Sequence, residues 1–466
     1  MMKKLTYILL ALLPLLLLMA GCHKDFLDKK PDKALLVPQT LDDIQTILDN
    51  TFVMNVAPGI QSVGDDDFYT TDNVLNTFSY PYLKNAYLWK ADVYEGSTVL
   101  SDWSAPYKQI LYANVALEKL AEMENNVKDG ERWRNLNGAA LFYRALGHYL
   151  LVQVFAPAYH EATAGLELGL PLRLNSDIDA KVARSSLSET YEAILKDAHE
   201  AMDLLPEQSK LKNRPSKQAL YALLARIYLS MRDYQDAEDF ADRGLTIDSA
   251  LMDYNSLDAS INIPMPTLFQ GGNAEVIYYY SLLSNSYLSS SLTSVVPELY
   301  RQYADADLRK AMFFKSLDDD VHPFKGSYNG LSAINGLLFG GFANDELLLI
   351  KAECLARRKK AAEAITLVNR LRKYRFVNGS ASADVYITAT EETALELVLS
   401  ERRKELVGRG LRWFDLKRLN QEEPRKKILE RTYDGTVYRL EPNSPRYVFP
   451  IPPEEIAGSG IQQNER

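Results

Sequence analysis

The sequence predicts a mainly α-helical fold, in which tetratricopeptide-like helical pairs form a scaffold and one long, loop-rich insert contains short β-strands. Apolar residues recur at spacings of three and four over about 102–249 and 343–420, which indicates amphipathic helices. Between them, residues 250–342 are rich in Ser, Asn, Tyr, Gly and Pro. Because long irregular stretches in compact proteins usually carry function, we expect the insert to contribute to a site.

The chain begins with a predicted signal peptide over residues 1–21. Lys3 and Lys4 precede an apolar run of 16 residues that ends at Ala20. This run is shorter than the ~20 residues of a spanning helix and is typical of a secretory signal. Cys22 follows Met19-Ala20-Gly21, a sequence that resembles the lipobox of bacterial lipoproteins, in which the cysteine is acylated. A plain secretory signal with a chance cysteine is the alternative.

Residues 22–40 are polar and contain Pro31 and Pro38, which favours an extended tether, and residues 41–466 are predicted to form a single domain. Thr40 is placed to cap a helix that runs through Leu48. Residues 51–101 show little periodicity and are expected to form long loops. Further helices are predicted over 102–120, 131–155 and 188–204, and a fourth is expected to begin near Pro215.

One helical pair carries a recognisable repeat pattern. Its small and aromatic positions are Ala225, Tyr228, Tyr234, Ala237, Ala241 and Gly244, and a weaker copy occupies Ala352, Leu355, Ala361, Ala364 and Val368. Small residues let two antiparallel helices approach closely, which is the packing of tetratricopeptide units. Because the copies lie 127 residues apart, the sequence does not predict a continuous solenoid. Within the insert, Val276–Tyr280 is predicted as a strand.

Charge and cysteine content exclude several classes of protein. The chain has 53 Lys and Arg against 62 Asp and Glu, a formal charge of −9, which disfavours a nucleic-acid partner. If Cys22 is acylated, Cys354 is the one cysteine left, so we expect no intrachain disulfide and a buried, unreactive thiol. We expect contact with a membrane through the lipid alone.

Six blocks, in order along the chain, resemble the SusD/RagB-type nutrient-binding outer-membrane lipoproteins of Bacteroidetes. The blocks are Cys22-His23-Lys24-Asp25-Phe26-Leu27-Asp28 with Pro31; Trp103, Tyr107, Ile110 and Asn114 with Arg144-Ala145, Tyr149-Leu150 and Phe155; Ala222 and Ala225-Arg226-Ile227-Tyr228-Leu229 with Tyr234 and Ala237; Glu346-Leu347 and Ala352-Glu353 with Asn369 and Arg372; Glu401-Arg402-Arg403-Lys404-Glu405-Leu406, Gly410 and Arg412-Trp413-Phe414-Asp415-Leu416-Lys417-Arg418; and Pro450-Ile451-Pro452 with Glu455-Ile456. Two departures are Arg409, where the family usually has an acidic residue, and an ending without the common Asn-Pro.

The resemblance implies a non-enzymatic, lipid-anchored protein of the outer membrane, exposed at the cell surface. Such a protein captures a nutrient, usually a glycan, and delivers it to a TonB-dependent transporter of the SusC type. Two other functions stay open from the residues alone. One is a helical-repeat scaffold protein of the envelope without a small ligand, and the other is a glycan-cleaving enzyme.

The charged residues favour structure over catalysis. Glu401, Arg402, Arg403 and Glu405 are spaced for ion pairs within and between helices, and Asp415 and Arg418 follow the same pattern. Two acidic clusters, Asp65-Asp66-Asp67 and Asp318-Asp319-Asp320, lack the spaced pattern of a calcium loop, so solvated loop charge is expected for both. No zinc, nucleophile-elbow or phosphate-loop motif is present. We expect no catalytic residue, no metal and no cofactor.

Aromatic and amide residues concentrate in the two regions without helical periodicity. Sugar rings present flat apolar faces and many hydroxyls, which aromatic platforms and amide side chains match. The predicted ligand-binding residues are Tyr80, Asn85, Trp89, Tyr94, Tyr287 and Tyr328, with Trp89 as the main platform. Trp103 and Tyr107 begin a periodic helix and are expected to lie in the core.

Overall fold

The computed structural model describes residues 38–466, apart from 98–99, 129, 269–271, 290, 318–320, 332–336 and 384–389. The predicted signal peptide, Cys22, most of the tether and Asp318-Asp319-Asp320 lie outside the described residues. Among the helices that are described, none is both long enough and apolar enough to cross a membrane.

The described chain is mainly helical, as predicted. Its helices are α1 (Leu41–Leu48), α2 (Thr51–Met54), α3 (Gln61–Gly64), α4 (Asp72–Leu75), α5 (Pro81–Tyr87), α6 (Ser101–Glu122), α7 (Asn125–Lys128), α8 (Glu131–Phe155), α9 (Leu187–Ala201), α10 (Lys217–Met231), α11 (Tyr234–Ile247), α12 (Ser286–Ser289), α13 (Pro297–Tyr300), α14 (Arg309–Phe313), α15 (Asn344–Arg357), α16 (Ala361–Lys373), α17 (Glu391–Glu405), α18 (Arg412–Leu419) and α19 (Pro453–Ser459). The four predicted helices that begin near 102, 131, 188 and 215 correspond to α6, α8, α9 and α10.

The strands are short and pair two by two. They are β1 (Val56–Ala57), β2 (Phe68–Tyr69), β3 (Leu168–Pro171), β4 (Arg184–Ser186), β5 (Val276–Tyr278), β6 (Ser281–Leu282), β7 (Ser294–Val295), β8 (Phe342–Ala343), β9 (Leu429–Tyr433) and β10 (Thr436–Leu440). The pairs are β1–β6, which is parallel, and β2–β7, β3–β4, β5–β8 and β9–β10, which are antiparallel. The β1–β6 and β2–β7 pairs connect the region before the scaffold to the insert.

The long helices stack in antiparallel pairs. In order, α6 packs on α8, α8 on α9, α10 on α11, and α15 on both α16 and α17. Helix α11 also packs on α15, although the insert separates the two in sequence. The second tetratricopeptide-like pair therefore continues the stack of the first, and the sequence spacing alone gave the wrong expectation of an interrupted scaffold.

Small residues allow the close approach between these helices. Ala225, Ala237 and Ala241 are fully buried. A Cβ at Gly244 would lie 2.7 Å from Cδ1 of Leu347, so a larger residue would require the Leu347 side chain to move. Between the helices, the ring of Tyr228 stacks on Phe240 with centroids 5.6 Å apart.

Side chains satisfy the ends of the helices. Thr40 caps α1 in a capping box with Asp43, as predicted, and Ser186 and Ser216 cap α9 and α10. At the C-terminal end of α8, the buried Nζ of Lys417 donates to the carbonyls of Gln153 and Ala156, both at 2.7 Å. The last carbonyls of a helix have no partner within it, so this lysine holds the end of α8 in place.

Residues 51–101 are not the long loops that the sequence predicts. They form α2 to α5 and the strands β1 and β2, each only two to seven residues long. An element this short does not complete two helical turns, so its sequence shows no readable period. The prediction for Cys354 is confirmed, because its side chain is fully buried and burial raises the pKa of its thiol.

The charged residues between 401 and 418 form the buried ion-pair network that their spacing predicts. Arg309 bonds Asp307, Glu401 and Glu405, and Arg375 bonds Glu275 and Glu405, at 2.6–2.9 Å. Further buried pairs are Arg409–Asp345, Arg226–Glu346, Arg372–Glu401, Arg402–Asp415 and Arg418–Glu353. The network joins α15, α16 and α17 to the insert.

The expectation of solvated charge at Asp65-Asp66-Asp67 is wrong. All three are largely or fully buried, and Asp66 pairs with Arg412 at 2.6 Å while Asp67 pairs with Arg403 at 2.9 Å. Burial alone would raise the pKa of Asp66, but Arg412 and Arg403 hold it well below its usual value. These pairs fasten the loop after α3 to α17 and α18.

The packing of α10 leads to a first testable prediction. Ala225→Leu should lower the free energy of unfolding by ~1–3 kcal/mol, because three added carbon atoms overpack a fully buried site. Urea unfolding followed by circular dichroism measures the change. Ala121→Leu, at an exposed position of α6, is the matched control and should leave stability unchanged. Equal stability of the two variants would contradict close packing at Ala225.

Candidate ligand-binding surface

Three of the six predicted ligand-binding residues lie in the interior beside α5. Trp89 is 1% exposed, and its Nε1 donates to the carbonyl of Gly64 at 2.8 Å. Asn85 is fully buried and donates through Nδ2 to the carbonyl of Val93. The hydroxyl of Tyr94 donates to the carbonyl of Pro450. Each polar atom named here is used to hold the local fold together.

The two predicted residues of the insert are buried as well. The ring of Tyr287 contacts the rings of Phe78 and Tyr87, with centroids 6.4 and 5.6 Å apart. The hydroxyl of Tyr328 lies 2.6 Å from that of Tyr254, within the ion-pair network. Neither ring has a face open to solvent.

Direct stacking on a ligand is therefore not available to Asn85, Trp89, Tyr94, Tyr287 or Tyr328 in this structure. The physical reason is that large aromatic side chains bury 150–250 Å² each, and the short elements of this region supply enough neighbours to cover them. Trp103, in contrast, lies in the core as predicted, and Tyr107 is half-buried.

Tyr80 is the predicted site residue that remains open, with 57% of its surface exposed. It precedes Pro81 at the start of α5, and its ring lies 5.6 Å from that of Tyr82. Tyr82 is half-buried, and burial raises the pKa of its hydroxyl to about 12. The pair offers a neutral aromatic surface with two hydroxyls.

A shallow pocket of about 160 Å³ lies on the same layer of loops. Phe78, two residues before Tyr80, packs on Tyr287 of α12, and α12 also supplies one wall of the pocket. The lining residues are Phe68, Leu288, Ser289, Ser291, Thr293, Lys315, Leu317, Pro323, Phe324 and Leu338. The buried Oγ1 of Thr293 has no hydrogen-bond partner among the described residues.

We use the name loop face for Tyr80 and Tyr82, the exposed side chains of Leu292 and Leu317, and the lining of this pocket; the Phe78–Tyr287 contact joins the two regions that supply them. It combines exposed aromatic and aliphatic groups with hydroxyls and the Lys315 ammonium group. Chemically, such a surface can contact the apolar face of a sugar ring and bond some of its hydroxyls.

Arg431 contacts the buried residues next to the loop face, a role that the sequence analysis did not predict. It lies on β9, donates through Nη1 to the carbonyls of Val63 and Tyr87, and covers the ring of Tyr87 at 3.7 Å. Its guanidinium also lies 4.7 Å from the ring of Trp89. No motif marks this hairpin, so only the folded arrangement reveals its role.

Glu275, Asp345 and Glu405 bring three carboxylates within 4.8 Å of one another in the interior, a separation that a metal ion could bridge. Two arginines supply the positive charge beside these carboxylates. Arg375 pairs with Glu275 and Glu405, and Arg409 pairs with Asp345. The positive charge that this cluster needs is therefore supplied by the chain itself.

The burial of Trp89 leads to a second prediction. Trp89→Ala should lower the free energy of unfolding by ~3–5 kcal/mol, because it opens a large cavity and removes a buried hydrogen bond. Tyr80→Ala should change it by less than ~0.5 kcal/mol, since its ring is exposed. Thermal and urea unfolding of both variants measures the difference. A Trp89→Ala protein as stable as Tyr80→Ala would contradict the core position of Trp89.

Two family models match the chain. One, described as starch-binding associating with outer membrane, matches residues 25–229, and the other, the SusD family, matches residues 346–465. Among characterised relatives, SusD-like protein P2 of Formosa agariphila is 23% identical over 431 residues, covering 79% of this chain and 81% of that protein. SusD-like protein P38 of the same organism is 25% identical over 384 residues, covering 70% and 73%.

Solved structures share the fold. A SusD superfamily protein from Bacteroides thetaiotaomicron superposes with a TM-score of 0.72 at 21% identity, over 92% of this chain and all of that one. A SusD-like carbohydrate binding protein from Bacteroides vulgatus gives 0.65 at 19% identity, over 91% and 97%. These likenesses confirm the predicted fold class. The two family models, which match the chain on either side of the insert, show that it belongs to the SusD/RagB family.

Proposed function

We propose that the protein binds a carbohydrate at the cell surface and delivers it to a TonB-dependent transporter of the SusC type. Membership of the SusD/RagB family carries the proposal, because one matched model is described as starch-binding and outer-membrane-associated. A structural neighbour from Bacteroides vulgatus is likewise described as carbohydrate binding.

The loop face is the proposed ligand surface. It presents the exposed ring of Tyr80, the half-buried ring of Tyr82, two exposed leucines and several hydroxyls, which suits a neutral ligand with alternating apolar and hydroxylated faces. Rigid elements hold it, since β2–β7 pairing and Arg431 fix its base. Binding residues favour loops that a rigid scaffold positions.

The arrangement of carboxylates supports binding over glycan cleavage. Glycoside hydrolysis requires two carboxyl groups on either side of a bound sugar. In the two buried acidic clusters of the described residues, arginines pair with Asp66, Asp67, Glu275, Asp345 and Glu405. Carboxylates held in this way are structural, so we propose a binding protein without catalytic activity.

A glycan panel tests the proposed function. The protein lacking residues 1–22 is titrated with soluble oligosaccharides by calorimetry, and at least one is expected to bind. Gene adjacency to a TonB-dependent transporter, and co-purification with that transporter, would support delivery. Turnover of any oligosaccharide would contradict the proposal and favour an enzyme.

A third prediction concerns the loop face. Once a ligand is found, Tyr80→Ala should weaken binding by ~2 kcal/mol or more, the cost of losing a central aromatic contact, while the melting temperature stays the same. Phe52→Ala is the matched control, because Phe52 on α2 is 92% exposed and lies outside the loop face. Unchanged affinity of Tyr80→Ala would contradict this placement of the site.

A fourth prediction concerns the anchor. Cys22→Ser should release the protein from the membrane fraction, since acyl chains contribute ~0.8 kcal/mol per buried methylene and no described helix can span a bilayer. Fractionation at high salt, in cells with and without the partner transporter, measures the effect. Retention of the variant in cells without the transporter would contradict lipid anchoring at Cys22.

A further inference from the structure

A groove of about 680 Å³ lies away from the loop face, and the two share no lining residue. Its walls are residues 157–168, the end of α18, residues 443–448 and residues 462–465. Amide side chains dominate the lining: Asn420, Gln421, Asn443, Gln462, Gln463 and Asn464. Its volume falls in the range of small-molecule sites.

Buried polar atoms in this groove lack partners. Asn420 is 1% exposed, and its Oδ1 accepts from the amide of Lys427. Its Nδ2 lies beside the hydroxyl of Tyr447, and among the described residues neither atom has another hydrogen-bond partner. Buried polar groups are almost always satisfied, so donors remain here for something outside the chain.

The segment 157–168 supplies an acceptor. Glu167 accepts from Thr163 through Oε1 at 3.0 Å, whereas its buried Oε2 has no partner among the described residues. Lys417 also lines the groove. Its Nζ donates to two carbonyls, and burial lowers the pKa of this group to about 7.

The surrounding amides fix these groups in position. Gln421 donates to Asn443, and Asn443 donates to the carbonyl of Asn420. Gln463 both accepts from and donates to the backbone of Ile451, at 2.7 Å each way. The unpartnered polar atoms of Asn420, Tyr447 and Glu167 therefore belong to residues of a groove whose walls are held in place by the chain's own hydrogen bonds.

The chemistry selects a class of ligand. A hydroxyl group both donates and accepts, so a polyhydroxylated molecule can satisfy Asn420, Tyr447 and Glu167 together. Glu167 and Glu465 disfavour an anion. The ring of Tyr447 packs on Trp413 with centroids 4.8 Å apart, so no aromatic platform is offered and hydrogen bonds must supply the recognition.

We propose that this groove is a second binding site, separate from the loop face, for a short neutral oligosaccharide held mainly by hydrogen bonds. It rests on the proposed function only for the choice of carbohydrate probes. Two sites on one protein would hold one glycan at two points, or hold the ends of two glycans at once. Either arrangement would lengthen the time that a glycan stays bound at the cell surface.

The test uses the full-length protein purified in detergent and four neutral probes: α-gluco-, β-gluco-, xylo- and manno-oligosaccharides. Calorimetry of the native protein should give two sites for at least one probe. Ala158→Trp places an indole in the groove and should remove one site. Ala121→Trp, at an exposed position of α6, is the matched control and should keep both.

Glu167→Gln keeps the size of the side chain, and it should weaken the groove site at least tenfold because it replaces a carboxylate with an amide. Asn420→Asp, which exchanges a donor for an acceptor, should do the same. If Ala158→Trp fails to fold, the Glu167→Gln variant tests the groove site in its place. Glu167 is half-buried, and the melting temperature of this variant reports separately whether it is folded.

The outcomes separate the two proposals. If the protein binds one probe molecule, and Tyr80→Ala weakens that binding while the groove variants leave it unchanged, the groove site is overturned and the proposed function is kept. Loss of one of two sites in each groove variant would support the groove site. Absence of binding by all four probes would overturn both, and a short peptide that binds the groove in their place would overturn the oligosaccharide assignment.

Discussion

The buried pairing of arginines with carboxylates is the interaction on which the rest of the structure depends. Arg309 and Arg375 are fully buried and together contact four carboxylates from the insert and α17. Burial alone would raise the pKa of Glu401, but Arg309, Lys404 and Arg372 lower it to about 2. Removing one partner from such a cluster leaves an unpaired buried charge, which costs ~3–5 kcal/mol.

The network explains how a long irregular insert acquires a fixed position. Its described strands β5, β6 and β7 are two or three residues long, and strands this short are not stable alone. Its Arg309 pairs with Glu401 and Glu405 of α17, while Arg403 of α17 and Arg412 of α18 hold the loop of Asp66 and Asp67. The two regions that form the loop face are thus both attached to α17.

The sequence predicted the scaffold well, because long helices repeat their period many times and their caps are local. Thr40 was predicted to cap α1 and does so, and the spacing of Glu401 and Glu405 indicated ion pairs. The candidate site was predicted far less well. Burial of Trp89 depends on Gly64 and Arg431, which are distant in sequence, and no local pattern records such contacts. Tyr80 was identified by the same argument as Trp89, and only the fold separates them.

Both candidate surfaces lie where helices end, and the physical reason is common to them. A helix end leaves backbone groups without partners, and loops or side chains must supply them. Tyr80 lies exposed at the start of α5, beside Pro81, whereas Lys417 supplies the partners for the end of α8 and also lines the groove. The first surface presents aromatic rings and the second presents amide groups, so two helix ends of one scaffold carry surfaces of different chemistry.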